Sequence, residues 1–134
     1  LILWDARDRV GEWVRQRIPE IGPSWGEWYQ AIGLEEEGKL IAGVVYNLYS
    51  GADIAMHVAG EGRWLRRQFT QAAFGYPFLQ LKTRRVTSYT GSRNETSIRL
   101  QMGLGFEYEG RMRHALPDDD VLIFGLLKEH CRYL

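Results

Sequence analysis

Asp53-Ile54-Ala55-Met56-His57-Val58-Ala59-Gly60-Glu61-Gly62-Arg63-Trp64-Leu65-Arg66-Arg67 is the stretch on which the fold turns. Ile54, Met56 and Val58 alternate with Asp53, Ala55 and His57, as on the two faces of a β-strand. Gly60-Glu61-Gly62 breaks that alternation. From Trp64 to Tyr76 the apolar residues Leu65, Phe69, Ala72, Ala73 and Tyr76 recur at helical spacing, and Pro77 follows as a helix stop. A strand, a glycine-bearing turn and a helix with an open N-terminus make a place where backbone amides meet an anion such as a pyrophosphate. Arg63, Arg66 and Arg67 add charge of the right sign. An ordinary turn with a solvated arginine face is the competing reading.

Towards the N-terminus, Val10, Trp13, Val14 and Ile18 predict an amphipathic helix over 6–18, ended by Pro19. Gly22-Pro23-Ser24-Trp25-Gly26 reads as a loop. Gln30–Leu34 and Lys39–Tyr49 read as a hairpin around a polar turn of glutamates. Towards the C-terminus, Arg85–Thr90 is an expected strand. Asn94 is a good N-cap for a helix from Glu95 to Met102, which Gly103 and Gly105 end. Phe106–His114 and Val121–Leu127 close the chain as strands around Pro117-Asp118-Asp119-Asp120. The order α, β, β, β, α, β, α, β, β predicts one α/β (α+β) domain over 1–134. Its sheet is mixed and mostly antiparallel, with helices on both faces.

Composition narrows the function classes. The chain has 134 residues with 17 Lys+Arg against 17 Asp+Glu, a formal net charge of zero. That balance disfavours nucleic acid, whose phosphates demand a basic surface. No apolar run reaches the ~18 residues of a membrane span, and no charged-then-apolar signal segment opens the chain. Cys131 is the single cysteine, so no intrachain disulfide forms; a cytoplasmic location is expected. His57, His114, His130 and Cys131 show no metal-ligand spacing, so no metal is expected.

One further run carries a resemblance. Arg85–Thr90 leads to Asn94-Glu95-Thr96-Ser97, then Gly105-Phe106, then Glu109-Gly110 and Arg113. From about Ala31 to Leu127 this pattern resembles the GNAT acetyltransferase superfamily, closest to its ribosomal-protein N-acetyltransferase subgroup and to small phage-borne relatives. The resemblance implies splayed central strands with the pantetheine arm of acetyl-CoA between them, held by the backbone of Met56, His57 and Val58. It places the pyrophosphate on the turn of Gly60, Gly62, Arg63, Trp64, Arg66 and Arg67, and sets Asn94 against the cofactor arm. An amide near Val58 would stabilise the oxyanion, and an amine would attack directly, without an acyl-enzyme. Trp64 stands where the family's loop has its second small residue, and Gln101 where many members carry a tyrosine acid.

Direct attack needs a group to take a proton from the amine. Asp53 and His57 are candidates on one strand face, roughly 13 Å apart at ~3.3 Å per residue. Ser97 is a third, as a relay. A solvated Asp53, a packed His57 and a helix-face Ser97 are the bland alternatives. Trp25, Trp28 and Tyr29 fall where the family builds its acceptor side, so they are expected to line an apolar acceptor pocket; core capping is the alternative. The expected partners are a small-molecule or protein amine and, by resemblance, a second copy in a homodimer. Two other readings compete: a non-catalytic module on the same fold, suggested by Trp64, and a Mom-type nucleic-acid base modifier. The second is suggested by Met56-His57-Val58-Ala59 followed by Trp64-Leu65 and Arg67, and opposed by the neutral charge.

Overall fold

The computed structural model describes residues 1–18, 22 and 24–134. The expected helix stop at Pro19 and the loop proline Pro23 lie outside the described residues. A seven-stranded sheet forms the centre, in the order β1-β2-β3-β4-β5-β7-β6. In chain order its strands are β1 (Ile2–Leu3), β2 (Tyr29–Glu36), β3 (Lys39–Asn47), β4 (Ala55–Gly60), β5 (Arg85–Gly91), β6 (Glu107–Leu116) and β7 (Asp119–Leu127). Helices α1 (Arg7–Arg15), α2 (Arg67–Gly75) and α3 (Glu95–Leu104) flank it. All pairings are antiparallel except β4 with β5.

The alternation of the strands divides two cores. Ile32, Val44, Tyr46, Ile54, Met56, Val86, Phe124 and Leu126 face α2, whose Phe69, Ala73 and Phe74 complete that side; Ile98 and Leu104 of α3 pack against it. Ala31, Leu40 and Val45 face α1, where Val10, Val14 and Trp25 complete the smaller core. Burying each of those aliphatic side chains contributes about 1.5–3 kcal/mol. Gly33 and Gly43 let α1 lie close: a Cβ on Gly43 would stand 2.6 Å from Val14 Cγ2.

Four differences from the sequence-based expectation bear on the fold. The N-terminal helix stops at Arg15, where Arg17 N–H bonds to Val14 O at 3.0 Å and tightens the last turn. The short strand β1 pairs Ile2 with Leu34; two residues carry no readable period. Helix α2 begins at Arg67 rather than Trp64, because the Trp64 ring turns back onto Gly60 and meets Phe69 edge-on. Leu65, expected on the buried stripe, is therefore 53% exposed. Pro77 does not stop the chain's helical course. It sits early in a π-helical turn, Tyr76–Gln80, where its missing N–H costs nothing, and Leu81 N–H bonds to Tyr76 O at 3.0 Å.

Candidate active site

Strands β4 and β5 run parallel and pair at one position, Ala55 with Thr87. Thr87 N–H donates to Ile54 O at 2.9 Å. Beyond that point each strand stays with its outer neighbour: β4 pairs with β3 as far as Gly60, and β5 with β7 as far as Gly91. The two halves of the sheet thus part in a V. Backbone groups alternate in direction along a strand. Since Ile54 O points to β5, so do the peptide groups of Met56 and Val58, and Val58 faces the gap where β5 has already diverged.

A cavity of about 360 Å³ fills the V, within the ordinary range for small-molecule sites. Met56 through Glu61 line one wall and Ser88, Tyr89 and Thr90 the other. Asn94, Ser97 and Leu100 close it from α3; Trp64 and Arg17 stand at its rim. A smaller apolar recess continues behind it, between Met56, Val58, Phe74, Leu104 and Phe106, and reaches Gln101.

Of the expected site residues, Met56, His57, Val58, Gly60, Trp64, Asn94 and Ser97 come together here. Asn94 caps α3, its Oδ1 accepting from Ser97 N–H at 3.2 Å. Gln101 Nε2 donates to Ser97 Oγ at 2.9 Å and to Thr90 Oγ1 at 2.6 Å. Its Oε1 is buried without a hydrogen bond. His57 is 8% exposed, and burial pushes its pKa down to about 4. Its Nε2 lies 2.8 Å from Asn47 Oδ1, and the Trp25 ring sits 5.0 Å from the imidazole.

The others lie elsewhere. Asp53 precedes β4, two residues before the single Ala55–Thr87 pairing. It accepts from Thr87 Oγ1 at 2.7 Å and lies 3.5 Å from Arg85 Nε. Trp28 is 41% exposed against Tyr49, and Tyr29 donates to Asp8 at 2.7 Å beneath Arg7. Trp25 reaches His57 but does not line the cavity. Gly62, Arg63, Arg66 and Arg67 stand past the rim. Arg66 is engaged with the Glu36 carboxylate and Arg63 O. Among the described residues, the guanidinium groups of Arg63 and Arg67 make no hydrogen bond or ion pair, and no side chain caps α2.

Sequence reasoning missed Asn47, Arg17 and the β5 wall. A cleft between two strands draws on both, so Ser88 to Thr90 were available from the expected V. Asn47 and Arg17 carry no local signal; only register and helix packing bring them in.

No protein-family model matches the chain, and no curated protein matches it. Solved structures do. A point mutant of the spermidine N-acetyltransferase SpeG from Vibrio cholerae superposes with a TM-score of 0.78 at 16% identity, covering 100% of this chain and 95% of that one. A GNAT-family acetyltransferase from Bacillus anthracis gives a TM-score of 0.62 at 19% identity, over 75% of this chain and 66% of that one. A protein described as a probable acetyltransferase gives 0.64 at 20% identity, over 75% of this chain and 63% of its own length. The chain has the fold of these GNAT acetyltransferases, with a mostly antiparallel seven-stranded sheet and three flanking α-helices. Among the described residues no helix is long and apolar enough to cross a membrane.

Proposed function

We propose that the chain is an acetyl-CoA-dependent N-acyltransferase of the cytoplasm, passing an acetyl group to a primary amine by direct attack. The observation that carries this reading is the V between β4 and β5, with the Val58 peptide turned into it. The residues present suit the donor. The gap accepts a narrow, extended arm that bonds to strand backbone. Past its rim the first-turn amides of α2 carry no side-chain cap, and Arg63 and Arg67 are free to meet phosphate.

Acetyl-CoA supplies an activated thioester carbonyl. Val58 N–H, turned into the gap, would receive the negative charge growing on that carbonyl oxygen. Asn94 and Ser97 line the cavity from α3, where they would border the arm. His57 and Ser97 are the proton-handling candidates that lie at the cleft; Asp53 does not, and has no part in the proposed reaction. Cys131 has no part in it either: burial raises its thiol pKa, and direct transfer needs no acyl-enzyme.

The acceptor class is a primary amine. Several neighbours are spermidine N-acetyltransferases, which adds polyamines to the protein N-termini implied by the sequence resemblance. One of them forms a dodecamer, so self-association of this chain is part of the proposal, read by sedimentation.

Calorimetry with acetyl-CoA and with 3′-dephospho-CoA tests the donor site, and thiol release over a panel of amines tests transfer. Saturable binding, weaker without the 3′-phosphate, followed by turnover with at least one amine, is expected. Absence of binding at millimolar donor would sink the reading. Binding without turnover on any amine would leave a non-catalytic module on the same fold, the alternative that Trp64 in the phosphate turn favours.

A further inference from the structure

Asn47 stands at the end of β3, opposite Ala55 in the register, one residue off the cleft-lining strand. Its amide is oriented from both ends. Nδ2 donates to Trp25 O at 3.1 Å, and Oδ1 lies 2.8 Å from His57 Nε2. Turning the amide round would set two carbonyl oxygens against each other at Trp25, so Oδ1 must face the imidazole. A carbonyl oxygen only accepts, so His57 Nε2 must carry the hydrogen and Nδ1 must be bare.

The imidazole is backed by an indole. Trp25 lies against it, itself held by its indole N–H donating to Gly11 O at 2.9 Å. Among the described residues no hydrogen bond reaches Nδ1. Nor is Nδ1 sealed away: among the described residues, the one buried side-chain nitrogen or oxygen without a partner is Gln101 Oε1. His57 is among the residues that line the cavity, and with Nε2 turned to Asn47, Nδ1 is the ring nitrogen left for an occupant.

We propose that Asn47 is a positioning residue: it locks His57 as the Nε2–H tautomer, so that the bare Nδ1 accepts an N–H from the primary amine about to be acylated. The proposal rests on the reading of the cleft as an acyl-donor site and goes beyond it by giving His57 the task of orienting the amine rather than taking its proton. The surroundings agree. The charged and titratable neighbours at the cleft are the Arg17–Glu61 ion pair at 3.0 Å and the Tyr89 phenol, with the Asp8–Tyr29 pair on the α1 side. No carboxylate bonds to the imidazole among the described residues, and burial holds it neutral. A neutral ring with one committed N–H and one bare nitrogen is an acceptor of fixed direction.

Histidine labelled with ¹⁵N and long-range proton–nitrogen spectra read the tautomer without any turnover. The expected spectrum of His57 has a protonated Nε2 and a bare Nδ1. Methylamine, the probe, should move the Nδ1 resonance towards its protonated value and leave Nε2 in place. Asn47→Asp sets a carboxylate against Nε2 and should favour the imidazolium, so that Nδ1 carries a proton and methylamine no longer moves its resonance. Asn47→Leu should mix the tautomers and raise the amine KM roughly tenfold, as loss of one hydrogen bond does, with the acetyl-CoA KM unchanged. A wild-type ring that is mainly Nδ1–H, or an Nδ1 resonance unmoved at decimolar methylamine, would overturn the proposal. The wild-type spectrum decides the matter even if the variants do not fold. Calorimetry with acetyl-CoA on the same sample separates failure of the donor site from failure of the lock.

Discussion

Trp64 and Gly60 act as one unit. A Cβ on Gly60 would run into the Trp64 ring, so the strand end must be glycine because the next turn folds an indole over it. Gly60→Ala should therefore destabilise the protein by about 1–3 kcal/mol. Much of that cost should vanish in a Trp64→Ala background, a coupling of about 1 kcal/mol or more in a double-mutant cycle followed by urea unfolding. Additive effects would mean that the ring does not rest on Gly60. The three arginines of the same turn should separate in the same residue-by-residue way. Arg66 is held by Glu36, whereas Arg63 and Arg67 are unengaged. Charge removal at Arg63 or Arg67 should weaken acetyl-CoA about threefold to thirtyfold and flatten the salt dependence of binding. Arg66→Ala should change affinity less, and a larger effect at Arg66 would reverse the assignment. The sequence supplied the three cations but not this division, because the Glu36 contact crosses 30 residues of chain.

Helix α1 reaches the sheet through its glycines. Gly43→Ala places a Cβ 2.6 Å from Val14 Cγ2 and 2.8 Å from Val10 Cγ1, so α1 must lift. A loss of about 1–3 kcal/mol in urea unfolding is expected, together with a raised KM for acetyl-CoA, because Arg17 and Ile18 follow α1 into the cleft wall. Gly103→Ala is the control: it lies in α3 with nothing near its missing Cβ, and should gain up to about 1 kcal/mol from helix propensity. Elements of this kind were largely legible beforehand. Strands β3, β4 and β5 and the Asn94 cap announce themselves through local alternation and a capping side chain. The start of α2 did not, because Trp64 and Leu65 imitate a helical stripe while their side chains serve the turn and the solvent. The alternation sets Asp53 on the face of His57, but β4 begins only at Ala55, and face alone says nothing of where two strands part. Its place before the V follows from the single Ala55–Thr87 pairing, a contact between distant segments.

The whole molecule is two half-sheets joined at one register pair, with an uncharged imidazole buried close to the join. Its protonation therefore bears on the stability of the entire fold. In the unfolded chain a histidine titrates near 6.5, whereas burial lowers His57 to about 4 in the folded protein. As pH falls below about 6.5, the unfolded chain takes up this proton before the folded one does, so stability declines with falling pH and levels off below about 4. The full effect is on the order of 3 kcal/mol, with roughly 2 kcal/mol of it lost by about pH 5. The carboxylates act in a lower window. The Tyr29 hydroxyl holds Asp8 down, Arg15 holds Glu12, the Ser92 hydroxyl holds Asp119 and the His114 amide holds Asp120, so their contributions fade as pH falls through the carboxylate range. Urea unfolding from about pH 7 to about pH 5 thus isolates the histidine. His57→Gln keeps a donor for Asn47 and cannot take up the proton, so it should remove the slope in that window while leaving the carboxylate limb below. An unchanged slope in the variant would place the titration elsewhere; a flat wild-type profile would mean that the ring charges inside the folded protein, and that the seam between the half-sheets admits water.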